Sequence, residues 1–216
     1  IKIVEIIMEY APIGVFALLA GLIVDLAGDD PNNIITTLTP LLYYALTVIV
    51  GLTFMVFIFY PLIIYVKTGI TIKKFLKAIF PAQMLAFSTS SSAATLPLTM
   101  KRVEINMDGT SIHQAISAVF IAQAFGQDLT LIDQVAIVLT ATLSSIGAAA
   151  VPGAGLIMLV IVLGAIGIDP QGLALIIAID RPLDMLRTVV NVTGDATVAS
   201  VVASTEGEKI KYTEDE

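Results

Sequence analysis

Apolar runs broken by short polar clusters organise this chain of 216 residues. Residues 10–26 form the first run, with Asp25 as its only acidic side chain, and end in the turn-forming loop Gly28-Asp29-Asp30-Pro31-Asn32-Asn33. That pattern predicts one membrane helix. Residues 38–66 are almost unbroken apolar sequence, longer than the roughly 20 residues that cross a hydrocarbon core, and predict a tilted spanning helix. The next two runs are interrupted. Residues 80–100 carry the polar cluster Ser88-Thr89-Ser90-Ser91-Ser92, and residues 135–168 are broken by Gly147, Pro152, Gly153 and Gly155. Each half is too short to cross alone, and broken segments at membrane depth are tolerated where freed backbone groups line a buried or wet cavity. The expectation is two re-entrant helical hairpins with tips at residues 90–95 and 147–155.

The last run carries a polar stripe. Asp180, Asp184, Arg187, Thr188, Asn191 and Asp195 are spaced so that, at about 100° per residue, all six fall within about a third of a helix. Leu183, Leu186, Val190 and Val192 take the other sides. In water such a stripe is a solvated face, but within apolar sequence each charge costs at least a few kcal/mol unless it is paired or lines a polar cavity. The residue types suit a zwitterion with an additional carboxylate. A carboxylate such as Asp184 holds an ammonium, a guanidinium such as Arg187 grips a carboxylate with two parallel hydrogen bonds, and Asn191 with Thr188 orients the remainder. Asp195 could then serve a hard cation. A second cluster, Asn106-Met107-Asp108-Gly109-Thr110, offers side-chain and carbonyl oxygens of the kind unwound membrane helices present to sodium, or else a simple turn.

Composition agrees with a bilayer environment. Hydrophobic residues make up 57% of the chain and charged residues 13%, against roughly a quarter charged in ordinary globular domains. The net charge of −7 owes much to Glu206, Glu208, Glu214, Asp215 and Glu216, which read as a solvated tail over 205–216. Lys67, Lys73, Lys74, Lys77, Lys101 and Arg102 place their side of the protein in the cytoplasm by the positive-inside rule. The absence of cysteine excludes disulfides and thiolate metal sites. Ile1 is not an initiator methionine and no cleavable signal pattern follows, so the chain reads as a fragment.

The run Ser90-Ser91-Ser92-Ala93-Ala94-Thr95-Leu96-Pro97, the cluster from Asn106 to Thr110, the run Ser145-Ile146-Gly147-Ala148-Ala149-Ala150-Val151-Pro152-Gly153-Ala154-Gly155 and the stripe from Asp184 to Asp195 resemble, in order, the signatures of the dicarboxylate/amino acid:cation symporter family. The resemblance implies an all-α membrane protein with transmembrane helices, two re-entrant hairpins and an elevator-type transporter core. Its domains would be scaffold-type and connecting helices over 1–69, a substrate-binding transport domain over 70–204 and the acidic tail over 205–216. It further implies symport of glutamate, aspartate or another dicarboxylate with sodium or protons, a homotrimer, and a multi-pass location in the plasma (cell inner) membrane, with no nucleic-acid partner and no enzymatic activity.

By the same resemblance, Ser91 and Ser92 with their backbone, together with Asn191, hold the α-carboxylate. Asp184 holds the amino group and Arg187 the side-chain carboxylate. Thr110, Thr188 and the tip from Val151 to Gly155 close the pocket, and Asp180 stands on the same face. Sodium would take Asn106, Asn191 and Asp195 at one site, carbonyls of Ser145, Ile146 and Ala148 at another, and Asp108 with Asn106 at a third, with Met107 between substrate and ions. Gly153 and Gly155 would hinge the second tip. Gln114 stands where proton-carrying relatives of the animal branch have glutamate, and the lone histidine, His113, reads as a packed interior residue.

The family pattern is departed from twice. Family members have a sizeable N-terminal portion ahead of the part that this chain resembles, and Lys101-Arg102-Val103-Glu104 runs directly into Ile105-Asn106, where the family has roughly 20 more residues, about one membrane crossing. Glu104 also replaces a threonine ligand of the second sodium site. Three rival readings remain: a C4-dicarboxylate symporter of the same fold, a non-transporting binding or structural fragment, and an intramembrane serine hydrolase using Ser90, Ser91 or Ser92 with His113 and an aspartate.

Overall fold

A computed structural model describes residues 32–99 and 107–207, with isolated helical positions at Ile13, Phe16, Ala17, Ala20 and Val24. Asn106, the join near Glu104 and Ile105, the first predicted helix as a whole and the acidic residues from Glu208 onward lie outside the described residues. Every regular element among the described residues is helical, as the apolar runs lead one to expect.

The longest apolar run folds as α1 (Asn32–Phe54), a single π-helical segment (Met55–Phe59) and α2 (Tyr60–Thr68). Pro61 has no N–H to give the carbonyl four residues back, and the adjoining turn widens to π geometry. Within this run, Leu38–Thr68 is long and apolar enough to cross a membrane, and only a third of its most apolar stretch is buried. Leu42, Tyr43, Val50 and Phe57 are exposed, the outward apolar face expected of a helix dissolved in lipid. Gly69 then turns the chain into α3 (Ile72–Thr89).

The first polar interruption is narrower than the expected tip at 90–95. Ser90 takes a left-handed conformation that caps α3, with its N–H donating to the Ala86 carbonyl at 2.9 Å. The Ser91 hydroxyl accepts from the Ala94 N–H and starts α4 (Ser92–Thr99). Two serines thus stop one helix and start the next. Asp108 opens α5 (Asp108–Ala124), so Asp108, Gly109 and Thr110 form the first turn of a helix. A reciprocal cap between Thr130 and Asp133 begins α6 (Leu131–Ile146). The second interruption covers 147–153, and α7 (Ala154–Ala165) carries Gly155 inside it. A short 3-10 turn (Pro170–Leu173) leads to α8 (Ala174–Thr205), one helix that holds the whole polar stripe despite Pro182.

α8 is the axis of the bundle. One apolar core joins α1, α5, α6, α7 and α8 through Val48, Ile121, Ile137, Leu159, Ile176 and Val190. A smaller one joins α2, α3 and α8 through Ile64, Phe75, Ile79 and Val192. The polar stripe therefore points inward and apolar side chains such as Ile132, Leu143 and Ile157 point outward, the inverse of a water-soluble helix bundle.

Candidate functional site

α8 brings Asp180, Asp184, Arg187, Thr188, Asn191 and Asp195 to one buried face, each at most 6% exposed. Their helical spacing fixes this, because residues three and four apart stand above one another. Arg187 Nη2 donates to Asp184 Oδ1 at 2.5 Å, and the Thr188 hydroxyl donates to the Asp184 carbonyl at 2.8 Å. Asp180 lies 3.8 Å from Arg187 on the other side.

The two helix breaks meet over this face. The Ser91 hydroxyl donates to the Ala150 carbonyl at 3.0 Å and the Ala93 N–H to the same oxygen at 3.4 Å. Gly153, at φ +78°, aims its N–H at Asp184 Oδ2, 3.2 Å away; a side chain there would strain the left-handed turn. Gly155 lies so close to Arg187 that an added Cβ would stand 2.6 Å from Nη1. Gln114, fully buried, donates to the Gly155 carbonyl at 3.1 Å and accepts from the Ser144 hydroxyl at 2.6 Å. It ties α5 to both arms flanking the second break. Ser92 and Thr95 are buried beneath the first break, and the Ser90 hydroxyl is buried with no hydrogen-bond partner.

Asn191 links the stripe to α5. Its Oδ1 accepts from the Gly109 N–H at 2.8 Å and its amide donates to the Thr110 hydroxyl at 3.3 Å. That hydroxyl lies 3.7 Å from Met107 Sδ, which is itself buried. Asp108 receives the Tyr60 hydroxyl at 2.6 Å, and a Cβ on Gly194 would meet that hydroxyl at 2.7 Å and Asp108 at 3.4 Å. Asp108, Asn191 and the start of the Gly194-Asp195 turn of α8 thus share one neighbourhood. The expected carbonyl donors fall around the C-terminus of α6, where the last carbonyls lack helical partners. Ser145 is buried there, whereas the Ile146 side chain is 72% exposed and Ala148 is half-buried. Val151 is exposed at 41%.

Tyr44 and Tyr60 are residues that the sequence pattern did not mark, and His113 was marked only as an interior residue or a hydrolase base. His113 is buried, as expected of an interior histidine, yet its Nδ1 lies 2.8 Å from Arg187 Nη1 and its Nε2 lies 3.0 Å from the Tyr44 hydroxyl. Both ring nitrogens are therefore engaged away from the serine cluster, which removes the base that the serine hydrolase reading requires. The tyrosines were hidden because they sit in an apolar run expected to be scaffold, where an aromatic residue looks like any other hydrophobe. That run shares the core of α5 and α8.

Among known proteins, the chain is 39% identical over 220 residues to an excitatory amino acid transporter of Caenorhabditis elegans, covering 93% of this chain and 43% of that protein. It is 39% identical over 229 residues to excitatory amino acid transporter 1 of Mus musculus, with 97% and 41% covered. Against excitatory amino acid transporter 5 of Homo sapiens the identity is 38% over 221 residues, with 94% and 39% covered. The chain spans less than half the length of these relatives, which are transporters and not enzymes. Its sequence matches the sodium:dicarboxylate symporter family in two pieces, residues 1–106 and 103–205, and with the paired breaks meeting over a buried acidic and basic stripe the chain belongs to that family.

Proposed function

We propose that this chain is the substrate-carrying part of a symporter that moves glutamate, aspartate or a related dicarboxylate with sodium. The observation that carries the reading is the buried Asp184–Arg187 pair lying beneath two helix breaks that touch at Ala150. An acidic amino acid would exchange partners with this pair, its ammonium taking Asp184 and its side-chain carboxylate taking Arg187. Ser91, Ser92 and Asn191 would hold the α-carboxylate, with Thr110, Thr188 and the tip from Val151 to Gly155 around it.

Charge gives the reason for coupling to a cation. Among the described residues of this region, Asp180 and Asp184 flank one buried guanidinium, Arg187, while Asp195 is buried further along α8 and Asp108 is half-buried against Tyr60. A substrate that brings further net negative charge into such an interior is costly unless cations enter with it. Asp108, Asn191 and Asp195, with Asn106, and the carbonyls of Ser145, Ile146 and Ala148 provide the oxygen donors that sodium prefers. A proton would serve the same balance, and Gln114, which is amide and not acid, does not supply it.

The two breaks read as tips of re-entrant hairpins and the bundle as the moving body of an elevator within a homotrimer in the plasma membrane. Because Leu38–Thr68 shares a core with α5 and α8 and supplies Tyr44 and Tyr60 to the site, it counts with the substrate-carrying unit, and the scaffold would lie within 1–31 and in helices not contained in this chain. Isothermal titration of the purified chain with L-aspartate, with and without sodium, tests the reading. Sodium-dependent binding that Arg187→Ala weakens by about 2–5 kcal/mol supports it, and unchanged affinity in that variant refutes it.

A second reading is binding without transport. The family match divides at residues 103–106, where the sequence lacks about one membrane crossing. Sodium-driven aspartate accumulation in liposomes separates the two, since a binding fragment titrates with aspartate but accumulates none.

A further inference from the structure

We propose that His113 is a positioning residue for Arg187 and sets the preference for ligands with a second carboxylate. The inference deepens the reading of Arg187 as the side-chain carboxylate holder and rests on it.

Arg187 is 2% exposed and His113 is fully buried. A guanidinium has donors only, so His113 Nδ1, 2.8 Å from Arg187 Nη1, must present a lone pair. The ring proton is then on Nε2, which faces the Tyr44 hydroxyl at 3.0 Å and Asp180 Oδ1 at 3.4 Å. Having accepted there, the Tyr44 hydroxyl donates to Ser117 Oγ at 2.8 Å, and the Ser117 hydroxyl donates to the His113 carbonyl at 2.7 Å. Each proton in this chain has one consistent direction. The donors run from α8 through α5 to α1 and back to α5, so three packed helices determine the histidine tautomer.

The histidine anchors Nη1 through a neutral acceptor, whereas Asp184 compensates the charge at Nη2. When a ligand ammonium draws Asp184 away, His113 still fixes the plane of the guanidinium but neutralises none of its charge. Arg187 then faces the ligand as an oriented cation that has lost its hydrogen-bonded carboxylate and keeps only Asp180, 3.8 Å from Nη1. A side-chain carboxylate of the ligand replaces the lost one, and a hydroxyl or methyl does not. Selectivity for acidic over neutral amino acids thus depends on a residue that need not touch the ligand.

The test is titration of L-aspartate and L-serine, in sodium, into the full 216-residue chain and its variants in detergent micelles. His113→Phe removes the acceptor and should lower aspartate affinity about 10- to 100-fold, the loss of one hydrogen bond to a charged group, while serine affinity stays within about threefold. His113→Asn, whose carboxamide oxygen can stand near the former Nδ1, should restore the aspartate preference. Tyr44→Phe removes the acceptor that fixes the tautomer and should shift preference in the same direction as His113→Phe, so a poorly folded phenylalanine variant at 113 leaves the idea testable. An unchanged aspartate-to-serine ratio in His113→Phe or, if that variant does not fold, in Tyr44→Phe overturns it, as does equal loss of both ligands in the phenylalanine and asparagine variants. Arg187→Ala separates the two levels. If it loses aspartate while the His113 variants keep it, only the role of His113 fails; if it binds aspartate like the parent, the carboxylate holder itself is misassigned.

Discussion

At Arg187 the guanidinium has an acidic partner on its own helix turn, a histidine from α5 and the backbone of Gly155 against its face. The close approach of Gly155 makes a sharp prediction. Gly155→Ala puts a methyl group within 2.6–2.9 Å of the guanidinium atoms, so the side chain must leave its position while the helix stays intact. Aspartate affinity should fall about tenfold or more, the cost of a misplaced charged hydrogen bond, with little change in thermal unfolding; titration and a melting curve read the two quantities separately. Asp195 gives a second prediction. Asp195→Asn keeps the shape and removes one charge, so the sodium concentration needed for half-maximal aspartate binding should rise several-fold, as measured by aspartate titration at several sodium concentrations. Asp184, Arg187, Asn191 and Asp195 were legible because their spacing survives in any helix. The roles of His113, Tyr44 and Tyr60 were not, because they depend on contacts between residues 48 to 74 positions apart.

Helices α5 and α8 touch through glycine. A Cβ on Gly109 would lie 2.6 Å from the Arg187 carbonyl and 2.9 Å from Val190 Cβ, and neither is the far end of a flexible chain. Gly109→Ala should therefore separate the two helices and lengthen the Gly109–Asn191 hydrogen bond. The expected loss is about 1–3 kcal/mol of stability, read by thermal or denaturant unfolding, together with weaker aspartate binding. The existence of two broken elements followed from sequence, since serine and glycine clusters interrupt apolar runs too short to cross in halves. Their extents shifted by a few residues because capping, not composition, sets where a helix ends. The Ser90 and Ser91 pair closes and reopens a helix within two residues, while Thr95, expected in the tip, lies inside α4.

Over the whole bundle the balance is buried acid against little buried base, within a surface of exposed leucine, isoleucine, valine and phenylalanine. Such an interior predicts mutual dependence of substrate and cation. Aspartate without sodium should leave the melting temperature of the purified chain nearly unchanged, whereas the two together should raise it by more than the separate shifts added, since each ligand is stabilised by the charge of the other. Potassium in place of sodium is the control. Equal aspartate shifts in sodium and potassium would oppose the sodium-coupled reading.

By itself the sequence determined that this protein is helical, belongs to a bilayer, and carries one inward polar stripe, because hydrophobic periodicity and the cost of charge in lipid act on neighbouring residues along the chain. The tertiary structure alone decided that the two breaks meet at Ala150 over Asp184, that the apolar run at 38–68 contributes Tyr44 and Tyr60, and that the lone histidine lies within hydrogen-bond distance of Arg187. Those facts rest on the packing of helices distant in sequence. Hydrogen bonds across such packing leave no period to read, since each partner follows only the rhythm of its own helix.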